Sequence, residues 1–218
     1  MNGHPVHQMV SAKRGELVIS GAVACHRIWI VIEGLVALAT VLPDGRRQIT
    51  DLCTPGDVIC PICAMPGTEC WVEALGSSVM CQVSLMDVMK CHGNTPDLMT
   101  VLFKQSHAQL ERSNRNQVML GRYSGKERVF QFVVEITRRI GTPCKGGFRV
   151  HLPMNRDDIA DYLGLNAATV IRLFSALRKT KLVTFISPTE FIVHDPDALE
   201  DHLPNALRRS HGNAVSQI

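Results

Sequence analysis

No apolar run in this 218-residue chain approaches the roughly 20 residues that a membrane-spanning helix needs. The first residues, with polar His4, His7 and Gln8, carry no signal-peptide core. Both absences predict a soluble, cytoplasmic protein with no membrane partner. No nucleophile–base pair, phosphate-cradling loop or His-Glu-x-x-His motif is present, which argues against an enzyme. The eight cysteines have scattered spacings and no export signal. They read as reduced thiols or metal ligands rather than as a disulfide framework. Charge of one sign is scarce overall, the net being only +3. By segment the balance is uneven: 9 basic against 10 acidic residues in 1–121, 12 against 7 in 122–195, and 2 against 3 in the rest. The excess in 122–195 is what a phosphate-contacting region needs.

What is present supports packed cores, with 45% hydrophobic residues and a length suited to two domains. From Glu16 to Ser84 short alternating apolar runs, such as Trp29-Ile30-Val31-Ile32 and Val36-Ala37-Leu38-Ala39, are separated by turn signals at Gly34, Asp44-Gly45 and Pro55-Gly56. That spacing predicts an antiparallel barrel or jelly roll, with a hairpin at Asp44-Gly45. A long helix is expected from Pro96 to about Leu120, a stretch without further proline or glycine. Phe103, Ser106, Leu110, Ser113 and Gln117 share one stripe of it, a mixed seam suited to dimerisation. A second helix follows Ser124-Gly125 and ends at Arg138-Arg139 before Gly141. Gly141 to Gly147 reads as a loop and Phe148 to Leu152 as a strand. A hairpin of Leu182–Ile186 and Phe191–Val193 closes the pattern. The expected divisions are 1–95, 96–121 and 122–218, in an α+β fold.

Between Asn155 and Lys179 the residues of a bihelical turn fall in register. Ala160 is small where two helices would cross, Gly164 suits a left-handed turn, and Ile159, Leu163, Leu165, Val170 and Leu173 supply the core. Asn166 stands where it would cap the second helix. If that helix enters a major groove of double-stranded DNA, Arg172 is the residue suited to guanine O6 and N7. Thr169 and Ser175 are placed to reach phosphates, and Arg178, Lys179 and Lys181 form a basic end that fixes position.

These features together resemble the CRP/FNR family of transcription regulators. The residues that carry the likeness are the barrel glycines Gly21, Gly34 and Gly45, the Pro55-Gly56-Asp57 turn, the long helix from Pro96 and the stretch Met154 to Leu165. That last stretch is most similar to the FNR and FixK branch. The resemblance implies a cyclic-nucleotide-binding-type β jelly roll, a dimerisation helix and a C-terminal winged helix-turn-helix. It also implies a homodimer on a twofold site, activation of transcription and RNA polymerase as a partner. Two features depart from the family. Its recognition helix commonly has glutamate before the threonine and serine or glycine before the arginine, where this chain has Ala168 and Ile171. A cytosine acceptor is thereby lost, while Ile171 is able to touch a thymine methyl. Family members that bind cyclic nucleotides carry a basic phosphate partner, yet Val58 to Met80 contains neither arginine nor lysine. Cyclic AMP is therefore not an expected ligand.

Cys60-Pro-Ile-Cys63 has a ligand-like gap, and with Cys70 and Cys81 it forms a candidate iron–sulfur set. Cys81 matches the place of the FNR branch's central cluster cysteine, but no cysteine precedes Cys25, so the branch's N-terminal ligands are missing. Structural thiols and thiol oxidation sensing are the other readings of these cysteines. Cys25-His26 is too small a signal for haem. The alternative function is a redox, metal or ligand sensor that acts through protein partners with a degenerate DNA-binding domain, a reading kept open by Ala168 and Ile171.

Overall fold

The computed structural model describes residues 7–20, 27–59, 70–84, 86 and 96–203. It divides into two compact units, one of residues 1–121 with Pro153–Asn166 and one of Arg122–Leu152 with residues 167–218.

The first unit is built on eight strands: β1 (His7–Ala12), β2 (Leu17–Ser20), β3 (Arg27–Glu33), β4 (Val36–Val41), β5 (Arg47–Cys53), β6 (Val58–Ile59), β7 (Cys70–Ala74) and β8 (Ser78–Ser84). They form two four-stranded antiparallel sheets, ordered β1-β8-β3-β6 and β2-β7-β4-β5. Alternation along each strand sends Ala12, Trp29, Val31, Ile59 and Met80 from one sheet against Val36, Cys53, Val72 and Ala74 from the other. This is the jelly-roll core the apolar spacing predicts. The β4–β5 hairpin turns at Asp44-Gly45, with Gly45 at φ +86°, and Gly45 N–H donates to the Leu42 carbonyl at 2.8 Å. Gly34 is irreplaceable for a second reason as well as its φ of +93°. A Cβ there would lie 2.3 Å from Ser78 Oγ and 2.5 Å from the Ser77 carbonyl oxygen.

Helix α1 (Pro96–Arg122) belongs to the same unit and has two different faces. Leu102 packs against Ile28 and Val58. Arg112 reaches two buried acids, Asp51 and Asp57, each at 3.3 Å, and Asn116 Nδ2 donates to the Thr50 carbonyl at 3.5 Å. Partial burial opposes the Arg112 charge, but the charges of Asp51 and Asp57 outweigh it and hold its pKa above the ordinary value. The opposite face shows Phe103, Leu110 and Val118 to solvent. Helix α3 (Arg156–Leu163) completes the unit. Asn155 and Asp158 form a reciprocal capping box at its start, and Gly164 ends it at φ 59°, ψ 43°.

The second unit holds helices α2 (Gly125–Ile140), α4 (Ala167–Lys179) and α5 (Pro196–Glu200) and strands β9 (Thr142–Cys144), β10 (Gly147–His151), β11 (Val183–Ser187) and β12 (Glu190–Val193). Ser124 and Glu127 cap α2 reciprocally. Its buried face, including Val129, Phe130, Phe132, Val133 and Ile136, packs on α4, α5 and β10. The strands form one sheet, β11-β12-β10-β9. The segment read as a loop, Gly141 to Gly147, contains β9. It pairs with β10 because Gly146 (φ +94°) and Gly147 (φ +137°) turn the chain back, and Pro143 is accepted on an edge strand. Helix α5 had its own signal, Asp195 as N-cap with Pro196 in the first turn.

Candidate nucleic-acid interface

Helix α4 is amphipathic. Val170, Phe174 and Leu177 are buried, and Phe174 stacks on Phe185, which in turn meets Phe191, at centroid distances of 5.5 and 5.7 Å. This aromatic file fixes α4 against the β11–β12 hairpin and turns its other face to solvent. Ala168, Ile171, Arg172, Ser175, Arg178 and Lys179 lie on that exposed face, with Thr169 half-buried at its edge and Asn166 exposed just before the helix. Ile171 is 53% exposed, a solvent-facing apolar side chain with a guanidinium beside it.

Local bonds set the geometry of the polar residues. Arg172 Nη2 donates to Thr169 Oγ1 at 3.3 Å, one turn back, so the threonine steers the guanidinium. Ser175 Oγ donates to the Ile171 carbonyl at 2.9 Å, which leaves the hydroxyl to act outward as an acceptor. The expectation of a phosphate donor at Ser175 therefore requires that bond to break. The Arg178 guanidinium lies 5.4 Å from the Phe185 ring centroid, a cation–π contact that orders this member of the basic end. Beyond the helix, Thr180 Oγ1 donates to the Leu177 carbonyl at 2.7 Å. Lys181 takes the left-handed conformation at φ 61°, so the basic end stops sharply before β11.

The hairpin beside α4 has its own tight turn. Thr189 N–H donates to Ser187 Oγ at 3.2 Å, and Arg149 pairs with Glu190 at 3.5 Å across β10 and β12. His194 Nδ1 meets the Gly146 carbonyl at 2.7 Å and its Nε2 meets Thr184 Oγ1 at 2.8 Å. That histidine ties the β9–β10 turn to β11, a role its sequence position does not announce.

On α1 the expected stripe is exposed at Phe103, Ser106, Leu110 and Gln117 and half-buried at Ser113. Exposed Val118 adds apolar area beside this stripe. Of the cysteine set, Cys60 and Cys63 lie outside the described residues, as do Gly21, Cys25 and His26, and for Cys70 only its strand position is described. Cys81 is half-buried on β8, in register with Met9 and Ile30. Among the described residues no group of histidine, cysteine and acidic side chains has metal-site geometry, and no helix is long and apolar enough to cross a membrane.

Two family models match the chain, the cyclic nucleotide-binding domain over residues 9–94 and the Crp-like helix-turn-helix domain over residues 127–202. Among curated proteins it is similar to the nitrogen fixation regulation protein FixK of Azorhizobium caulinodans, 31% identical over 197 residues, covering 87% of this chain and 76% of that protein. It is also similar to the transcriptional activatory protein AadR of Rhodopseudomonas palustris, 31% identical over 183 residues, covering 83% of this chain and 75% of that protein. Among solved structures, FixK2 from Bradyrhizobium japonicum superposes with a TM-score of 0.78 at 27% identity, covering 91% of this chain and 98% of that one.

Proposed function

The chain belongs to the CRP/FNR family of transcription regulators, in its FNR/FixK branch, and from that premise we propose that it acts as a cytoplasmic homodimer that reads a twofold DNA site through α4 and activates transcription with RNA polymerase. The observation that carries the proposal is the exposed face of α4, where Arg172, steered by Thr169, stands beside a solvent-facing Ile171. Arg172 makes the bidentate guanine contact and Ile171 meets a thymine methyl. Ala168 lies between them on the reading side, with Asn166 and Thr169 at the helix start. Arg178, Lys179 and Lys181 face the phosphates, and Ser175 joins them only by giving up its bond to the Ile171 carbonyl.

The dimer contact is the α1 stripe of Phe103, Ser106, Leu110 and Gln117. Its apolar members are 74% and 59% exposed at Phe103 and Leu110, which is costly in a monomer and is relieved by a second copy. Half-site centres then lie about one helical turn, roughly 34 Å, apart. Leu110→Glu tests this. Sedimentation shows monomers and the affinity for a twofold site collapses, because one α4 alone loses the second half-site. A mutant that stays dimeric and binds normally moves the interface off α1.

The barrel does not use cyclic AMP as its signal, since Val58 to Met80 has no cationic side chain to meet a cyclic phosphate. Calorimetry with millimolar cyclic AMP gives no saturable heat, and DNA affinity is unchanged by it. Saturable binding overturns this.

A further inference from the structure

We propose that an ion cluster centred on Arg47 is a latch that fastens α3, the first helix of the bihelical motif, to the barrel, and that β5 thereby couples the dimer-facing helix to the DNA-reading motif. This rests on the reading of α1 and α4 given above. Arg47 projects from β5, and its Nη1 reaches Asp158 Oδ1 at 3.0 Å and Asp161 Oδ2 at 3.1 Å, while Nη2 reaches Glu73 Oε2 at 2.7 Å. Arg14, from the β1–β2 loop, meets Asp158 Oδ2 at 2.6 Å and also donates to the Leu75 and Pro153 carbonyls. Gln48 Nε2 donates to the Asp161 carbonyl. At Gly76 the fit is close enough that a Cβ would lie 2.9 Å from Pro153 Cβ.

Asp158 does two jobs in this cluster. It is the capping-box acid of α3, accepting the Asn155 N–H at 3.0 Å, and it takes both arginines. The bonds that start the helix and those that dock it therefore share one carboxylate. Three acids face two arginines, so losing Arg47 removes the cation that Glu73 and Asp161 share with Asp158 and leaves Arg14 on Asp158 alone. Burial already pushes the Asp161 carboxyl above the ordinary range, against the pull of Arg47.

The same strand holds α1. Two residues on from Gln48 the Thr50 carbonyl accepts from Asn116, and Asp51 pairs with Arg112. Asn116 Oδ1 also accepts from Tyr162 of α3 at 3.2 Å. From Arg47 to Asp51, β5 thus grips α3 at one end and α1 at the other. A shift of α1 in the dimer is transmitted to the helix that precedes the recognition helix by a three-residue turn.

The test uses the full-length protein, with amide hydrogen exchange of residues 156–163 and DNA affinity at fixed salt as paired readouts. In Arg47→Met and in Asp161→Asn, exchange in that segment rises by roughly 5- to 20-fold, the size of ordinary coupling between sites, while β3 and β8 stay protected. DNA affinity falls by a similar factor, because α3 is no longer held in one orientation. The double mutant is no worse than Arg47→Met, since both remove one network. Gly76→Val, which wedges Pro153 away without touching a charge, gives the same pair of changes and serves if Arg47→Met does not fold. Unchanged exchange overturns the latch, and raised exchange with unchanged DNA affinity overturns the coupling. If the wild type binds no DNA, the functional reading falls while the exchange measurement still judges the latch.

Discussion

Helices α3 and α4 are consecutive, joined through Gly164, and they spend their polar side chains in opposite ways. In α3 the charges of Asp158 and Asp161 are committed to Arg14 and Arg47, and the Tyr162 hydroxyl to Asn116. In α4 the exposed residues Ala168, Ile171, Arg172 and Lys179 lie open to solvent, and the bonds from Arg172 to Thr169 and from Ser175 to the Ile171 carbonyl stay within the helix itself. A helix whose barrel-facing acids, Asp158 and Asp161, are both engaged is suited to holding position. One that turns a guanidinium and a sec-butyl side chain to solvent is suited to reading something else. Substitutions that leave one helix alone while disabling the other separate the two roles.

The largest effect belongs to Arg172→Ala. A bidentate arginine–guanine contact is worth about 1–3 kcal/mol per half-site, and a dimer loses it twice. Discrimination between the cognate site and random duplex, followed by fluorescence anisotropy at fixed salt, should all but vanish. The melting temperature should not move, because Arg172 is exposed and its one bond here, to Thr169, is local. Coincident binding curves for mutant and wild type would move the reading residue elsewhere on α4.

Gly164→Val acts on the joint between the helices. At φ 59° a β-branched residue costs about 1–2 kcal/mol, read as a lower midpoint in urea. This variant lowers stability and DNA affinity together, whereas Arg172→Ala lowers affinity alone. Equal stability of the valine variant would mean that the turn relaxes out of the left-handed region.

The joint was legible in the sequence because glycine chemistry is local. Gly164 lies between two apolar periodicities, Asp44-Gly45 between two alternating runs, and in each case one residue type and its neighbours suffice. The exposed face of α4 was legible for the same reason, since Val170 sets the helix phase and the exposure of Arg172 follows from it, although the buried stripe runs on through Phe174 and Leu177 rather than the half-buried Leu173. The partners of Asp158 and Asp161 were not legible. Arg14 and Arg47 are more than 100 residues away, and nothing local distinguishes an acid that meets a distant arginine from one on a solvated helix face. The adjacent Arg46 shows the ambiguity, for it pairs with Asp44 in its own turn while Arg47 turns to α3. Strand β9 escaped because three residues with a proline carry no period, and its pairing comes from the turn at Gly146-Gly147 and the neighbour β10. Ser175 was legible as exposed, but its bond to the Ile171 carbonyl depends on a rotamer that the residue type does not fix.

The smallest effect sharpens what α4 reads. Ile171 is exposed and apolar, at a place where the family commonly has serine or glycine, so its contribution must come from an apolar group on the DNA. The one such group on a base edge in the major groove is the thymine C5-methyl. Truncation in Ile171→Ala removes three carbons, but only those that meet the methyl lose burial, so at about 0.8 kcal/mol per buried carbon the cost is close to 1 kcal/mol per half-site. Loss of affinity alone would not identify the contact, because any packing defect in α4 gives the same result. Replacing thymines one at a time by uracil in the operator removes the methyl and nothing else. The wild type should lose affinity at one thymine per half-site and Ile171→Ala should be indifferent there, the two proteins converging on the uracil duplex. If both lose equally at every position, Ile171 does not touch a methyl, and the specificity of α4 rests on Arg172 and the shape of the DNA.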